Sequence, residues 1–170
     1  MTEAVVFSSK TGFTAAYARM LGRAAGLTVY TLRDAHTAVP KKTHIIYLAP
    51  VRDGKILDYE KAKKLYFLDA VCAVGLIATN DAAQEMIQQN HLTMPFLLMQ
   101  GGYRTDGLTL RERLHMRRLR RQLQKKFDRS PEETDALTLL TDGGSRVKKD
   151  NLQPLVDWLK GRWRTAETKT

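Results

Sequence analysis

Phe7-Ser8-Ser9-Lys10-Thr11-Gly12-Phe13-Thr14 decides the fold. The apolar run at 4–8 leads into it, and a helical pattern over 14–25 leaves it and stops at Gly26. Strand, short hydroxyl-rich loop with one glycine, and helix make a βα unit whose loop sits at a helix N-terminus. Hydroxyls at positions 9, 11 and 14 surround the glycine. With the free amides of the first turn and the helix dipole, they would converge on one anion. The loop has neither Gly-x-Gly-x-x-Gly nor Gly-Lys-Ser/Thr, so a monophosphate suits it better than a pyrophosphate or triphosphate. The alternative reading is an ordinary helix capped by Ser and Thr.

Outward from that loop the pattern repeats. Residues 27–32, 44–49, 72–79 and 95–100 read as further short strands, several apolar nearly throughout, as parallel strands buried on both faces are. Helices are predicted at 58–69 and 81–89, with Asp58 and Asn80 or Asp81 as N-caps and Asn90 as a stop. The crossover at 33–43 contains Pro40 and reads as a turn. This alternation predicts a three-layer α/β sandwich with right-handed crossovers. The last third breaks the rhythm. A basic helix is predicted over 108–127, and Ser130-Pro131-Glu132-Glu133 opens a second helix ending before Asp142-Gly143-Gly144. Asp150 then caps a final helix through Leu152, Leu155, Val156, Leu159 and Trp163. We expect one domain over 1–165 with a helical insertion at about 108–140, and a frayed tail at 166–170.

The chain has 170 residues, 28 Lys and Arg against 18 Asp and Glu, and a single cysteine, Cys72. That composition excludes a wholly disordered or fibrous chain. No apolar run approaches a bilayer span, and the N-terminus enters a strand pattern without a signal peptide's basic start. A lone cysteine fits a reducing compartment, so a cytoplasmic location is expected. His36, His44, His91 and His115 show no metal-ligand spacing, no metal is expected, and Cys72 reads as core.

The loop resembles a known family. Ser9-x-Thr11-Gly12-x-Thr14 matches the flavodoxin phosphate loop, Thr/Ser-x-Thr-Gly-x-Thr, at every specified position. The βα order agrees over nearly the whole chain. A closer likeness is to the flavodoxin-domain group that includes menaquinone-dependent protoporphyrinogen oxidase, through Gln100-Gly101-Gly102-Tyr103 and the basic helix with Leu108, Leu110, Leu114 and Met116. The resemblance implies a five-stranded parallel sheet in order 2-1-3-4-5, with FMN across the carboxyl ends of strands 1, 3 and 4. It assigns Ser9, Lys10, Thr11, Gly12, Phe13 and Thr14 to the phosphate. Pro50, Val51, Arg52, Asp53 and Gly54 would lie along the ring, with Asp53-Gly54 as a peptide able to flip toward it. Thr79 and Asn80 would face its other side, and Gly101, Gly102 and Tyr103 would close the site. Unlike flavodoxins, this chain has no Trp or Tyr in the loops at 50–56 and 79–82, which leaves Phe13 and Tyr103 as the nearby aromatics. Arg52 and Lys55 would favour an anionic reduced flavin. The implied function is FMN-dependent electron transfer or oxidation of an organic substrate, with a quinone as an acceptor; oxidation of a porphyrinogen is the narrower form. Catalytic residues are not assigned.

The basic helix admits a different class of function. Between Arg111 and Lys126 lie eight basic residues and one acid, out of a formal net charge of +10 for the chain. Met116, Leu119, Leu123 and Phe127 share one face; Leu110 and Leu114 fall on another. The stripe either packs on the domain with the cations solvated, or lies on an anionic membrane or acidic partner through Arg113, Arg117, Arg118, Arg120, Arg121 and Lys125. The second reading allows a flavin-free docking module at the inner face of a membrane. Nucleic acid is the weakest partner, since no nucleic-acid motif accompanies the charge. Flavodoxin shuttles are typically acidic, so the basic charge disfavours a plain shuttle serving the same partners.

Overall fold

The computed structural model describes residues 1–167, with side chains described as far as 162. In chain order the elements are β1 (Ala4–Phe7), α1 (Phe13–Ala25), β2 (Thr28–Thr31), α2 (Leu32–Ala38), β3 (His44–Arg52), β4 (Lys55–Ile56), α3 (Tyr59–Leu65) and β5 (Phe67–Gly75). They continue with α4 (Asn80–Gln89), β6 (Phe96–Gln100), β7 (Gly102–Tyr103), α5 (Leu110–Lys125), α6 (Pro131–Asp142), β8 (Gly144–Ser145), a 3-10 turn (Lys149–Leu152) and α7 (Gln153–Glu167). Five parallel strands run in the order β2-β1-β3-β5-β6, the 2-1-3-4-5 order of a flavodoxin-like sandwich. The sequence order reverses between β1 and β3, and ligands of open α/β sheets bind at such a switch point.

Alternating side chains of the central strands feed two cores, because successive Cβ atoms leave a strand on opposite faces. Val6, Ile45, Tyr47, Ala49, Val71 and Ala73 pack under Leu32 and Ala35 of α2, Tyr59 and Ala62 of α3, and Met86 of α4. Val5, Ile46, Leu48, Ala70, Cys72 and Val74 meet Tyr17, Ala18 and Leu21 of α1, and Leu155 and Leu159 of α7. Each fully buried Val, Leu or Ile contributes about 1.5–3 kcal/mol. A third cluster joins the insertion to the sheet's upper end: Leu123 of α5 and Ala136 and Leu140 of α6 pack with Leu76, Ile77 and Tyr103.

Several local expectations are corrected. β5 begins at Phe67 and ends at Gly75, not 72–79, and α3 stops at Leu65. Tyr59, Ala62, Leu65 and Tyr66 keep a helical spacing that hides the strand's start, which pairing with β3 fixes instead. β3 runs on past Ala49 to Arg52 and turns back through β4, so Pro50, Val51 and Arg52 lie on a strand. The 33–43 crossover holds a short helix, α2, because the Thr31 hydroxyl accepts from the Asp34 amide; Pro40 lies beyond its end. Thr79 rather than Asn80 or Asp81 caps α4, accepting from the Ala82 amide. Asp58 stands at the N-cap of α3 as expected, but its carboxylate accepts from the Ser8 hydroxyl and makes no capping bond. Asp150 lies within the 3-10 turn, and α7 starts at Gln153. α5 ends at Lys125, which leaves Phe127 fully exposed past it instead of on the packed stripe. The Ser130 capping box forms with Glu133, and α6 ends at Asp142. The backbone of α7 continues to Glu167; the Trp163 side chain and the rest of the expected tail lie outside the described residues.

Candidate functional site

The loop at 8–12 is fixed from below. Tyr47 donates its hydroxyl to the Leu57 carbonyl (2.7 Å) and lies 3.0 Å from Ser8 Oγ, which donates to Asp58 (3.1 Å). Burial pushes the Tyr47 hydroxyl's pKa upward, so it stays protonated as a donor. Above this anchor Gly12 takes φ 95°, a left-handed state that glycine adopts without a Cβ penalty, and turns the chain into α1. No side chain caps α1. The Gly12 amide donates to Ser9 Oγ (3.2 Å), while those of Phe13, Thr14 and Ala15 find no acceptor among the described residues. Three free N–H groups at the N-terminus of a 13-residue helix form an anion cradle. The Arg104 guanidinium approaches from the side and donates to the Thr11 carbonyl (3.3 Å).

The cradle opens into a cleft of about 940 Å³ at the carboxyl ends of β1, β3, β5 and β6, within the range of small-molecule sites. Its inner wall is apolar: Pro50, Val51, Val74, Leu76, Ile77 and Leu98. α5 forms the roof with Leu114, His115, Met116 and Leu119. Five cations, Lys10, Arg52, Arg104, Arg111 and Arg118, line it against three carboxylates, Asp53, Glu85 and Glu112, a balance that favours an anionic ligand.

Two contacts join the β3–β4 hairpin to the roof: Arg52 pairs with the largely covered Glu112 carboxylate, and the exposed His115 Nε2 approaches Asp53, each at 3.5 Å. Glu112 also closes the capping box of α5, accepting from the Thr109 amide at 2.7 Å. That bond foremost, and then the charges of Arg52 and Lys10, hold its carboxyl below the usual range. The hairpin itself turns at Asp53 (φ 50°) and Gly54 (φ 71°), the two positive φ values of a type I′ turn. Asn90 clamps it from α4: its Nδ2 donates to the carbonyls of Gly54 (3.1 Å) and Met86 (2.9 Å), and its Oδ1 accepts from the Ile56 amide (3.2 Å).

On the opposite side Gln100 donates to the Leu76 carbonyl (3.0 Å) and to Asp135 (2.7 Å). Asp135 in turn holds Arg146 (2.7 Å), whose amide donates to the Gly101 carbonyl (2.7 Å). Hydrogen bonding by Arg146 is the main cause that lowers the Asp135 pKa.

Of the residues the sequence pointed to, Lys10, Thr11, Phe13, Thr14, Pro50, Val51, Arg52, Asp53, Gly54, Gly102 and Tyr103 line one cleft. Ser9 and Gly12 shape its loop from outside the lining, Thr79 is occupied as the α4 cap, and neither Asn80 nor Lys55 lines the cleft. Arg118 of the basic helix lines it; Arg117, Arg121 and Lys125 are exposed elsewhere on α5. Arg113 donates to the Thr105 carbonyl (3.3 Å), and Arg120 is half-buried.

The sequence reading missed Arg104, Asn90 and the roof residues Arg111, Glu112, Leu114 and His115. Asp53-Gly54 between Val51-Arg52 and Lys55-Ile56 was a legible hairpin signal. Nothing in the spacing of α5 told which way the helix would lie. Among the described residues, no group of three or more His, Cys, Asp or Glu is placed to hold a metal ion, and no helix is long and apolar enough to cross a membrane. No family model, curated protein or solved structure matches the chain.

Proposed function

We propose that the chain binds FMN and serves FMN-dependent redox, either electron transfer or oxidation of an organic substrate, with a quinone among the acceptors the family likeness suggests. One observation carries the reading: an uncapped helix N-terminus introduced by Gly12, with free amides, Lys10 and Arg104, opens into an apolar-walled cationic cleft at the sheet's switch point. The residues present suit the group's two ends. Ser9, Thr11 and the amides of 13–15 are donors for a phosphate. Aliphatic walls and the cleft-lining Phe13 and Tyr103 suit a flat ring, although no Trp or Tyr stands in the hairpin or at 79–82. Bound there, FMN supplies the electron chemistry. Arg52 places a cation at the cleft, offset by Glu112, and α5 faces the apolar inner wall with Leu114, Met116 and Leu119.

A visible spectrum of the purified protein, followed by FMN titration of the apo form, tests this. We expect a flavin spectrum or saturable binding, abolished by Gly12→Asp, which strains the turn and sets a carboxylate at the cradle. Absence of binding at high FMN refutes the proposal.

A further inference from the structure

α5 packs onto the body of the protein along one face, and its other face is exposed, with Leu114 and Arg118 at the edge where that face meets the cleft. Met116, Leu119 and Leu123 turn inward onto α6 and the sheet end. At about 100° per residue, Leu110, Leu114, Arg117, Arg118, Arg121 and Lys125 point the opposite way, within about 60° of a common direction. Leu110 is 74% exposed and Leu114 54%, and Phe127 projects fully just past the helix. The single acid of α5, Glu112, lies on the inner side with Arg52. Arg117, Arg118, Arg121 and Lys125 form no ion pair with any carboxylate among the described residues. The helix is held at both ends, by the Thr109–Glu112 capping box and by Arg129, which donates to the carbonyls of Leu123, Gln124 and Lys126. This face is therefore preorganised and needs little ordering on contact.

We propose that the outer face of α5 docks on an anionic lipid surface. Leu110 and Leu114, one turn apart, enter the boundary between headgroups and acyl chains, and the four cations lie over the phosphates. Unpaired cations flanking exposed leucines are the pattern of an interfacial helix. A nucleic-acid groove would engage the charge but leave both leucines in water. Because Leu114 and Arg118 also border the cleft, docking turns its mouth toward the bilayer. The proposal does not depend on what the cleft holds.

The test is co-sedimentation with phosphatidylcholine vesicles, with and without phosphatidylserine, with duplex DNA as competitor. We expect binding only with phosphatidylserine, weakened as added salt shortens the Debye length from about 10 Å to about 3 Å. Arg117→Gln with Arg121→Gln should weaken it about 30-fold, roughly five-fold per charge. Leu110→Ser should weaken it without changing the salt dependence. All three side chains are exposed, so unchanged circular dichroism and thermal unfolding verify the fold. Binding indifferent to phosphatidylserine or to these substitutions, or tighter binding to the duplex than to the vesicles, overturns the proposal.

Discussion

Gly102→Ala probes how the small β7–β8 sheet, which flanks the insertion, is fitted against Phe13 at the start of α1. A Cβ at Gly102 would stand 2.3 Å from the Gly144 carbonyl oxygen and 2.7–2.8 Å from the Phe13 ring. Carbon and oxygen rest at about 3.3 Å or more, so β7 and β8 must part by about 1 Å or the Phe13 ring must move. One neighbour is backbone and the other opens α1, so neither yields as a flexible side-chain tip would. Overpacking of this kind costs about 1–3 kcal/mol. At about 2 kcal/mol, a chain of this size loses about 4–8 °C in Tm. Gly75→Ala is the control. Its Cβ would meet nothing nearer than Val51 Cγ2 at 3.6 Å, so it should stay within about 0.5 kcal/mol of wild type. Thermal and urea unfolding of both variants measure the difference. A Gly102→Ala protein as stable as wild type, or a Gly75→Ala protein equally damaged, would refute the packing argument.

Further expectations concern other parts of the molecule. Asn90→Leu removes both donors and the acceptor that clamp the β3–β4 hairpin, leaving the Ile56 amide unsatisfied. We expect a loss of about 1–3 kcal/mol and faster amide exchange confined to 50–57; unchanged exchange there would contradict the clamp. Thr109→Ala should cost about 1 kcal/mol and speed exchange in the first turn of α5 alone. At the other end of the sheet, burial by itself would raise the Asp69 pKa. Hydrogen bonds from His44 (2.8 Å) and Thr2 (2.6 Å), with the Arg162 charge, outweigh it and hold the carboxyl below its ordinary value. The folded protein therefore binds this proton less readily than the unfolded chain. The group's stabilisation is full above about pH 4 and is lost as pH falls through the lowered value. Asp69→Asn should flatten that acid limb of the stability curve; an unchanged limb would show that the acid sensitivity arises elsewhere. Cys72 is wholly buried and its thiol is pushed up to about 12. It should resist thiol reagents at neutral pH until the protein unfolds, and rapid labelling of the native state would place it wrongly.

The layered fold was legible because Ile45-Ile46-Tyr47-Leu48-Ala49 and Val71-Cys72-Ala73-Val74 are apolar at consecutive positions, as only strands covered on both faces need be. Strand order was not legible from periodicity; it came from the likeness of the 7–14 loop to a family with that order. Boundaries failed where long-range pairing overrode local pattern, as at Phe67, whose amide donates to the Thr43 carbonyl (3.0 Å) in place of continuing α3. Part of the site lay in residues whose types were expected, from Lys10 to Thr14 and from Pro50 to Gly54. The rest came from the ends of β5 and β6, from α4 and from the insertion. An amphipathic helix declares its apolar stripe, but only the geometry of the connections, here the Thr109 cap and the Asp135–Arg146 pair, sets which part of the sheet that stripe covers.

The central claim is that the 9–14 loop is built for a phosphate carried on a flat ring system. Comparing FMN with riboflavin, the same ring without phosphate, isolates that loop. Free amides with Lys10 and Arg104 offer several charge-assisted contacts, and two of these at about 1.5–3 kcal/mol each amount to at least a 100-fold preference. Fluorescence titration of the apo protein should therefore show FMN binding at least about 100-fold more tightly than riboflavin, with Gly12→Asp erasing the gap. Equal affinity for the two, or affinity for neither, would contradict the account.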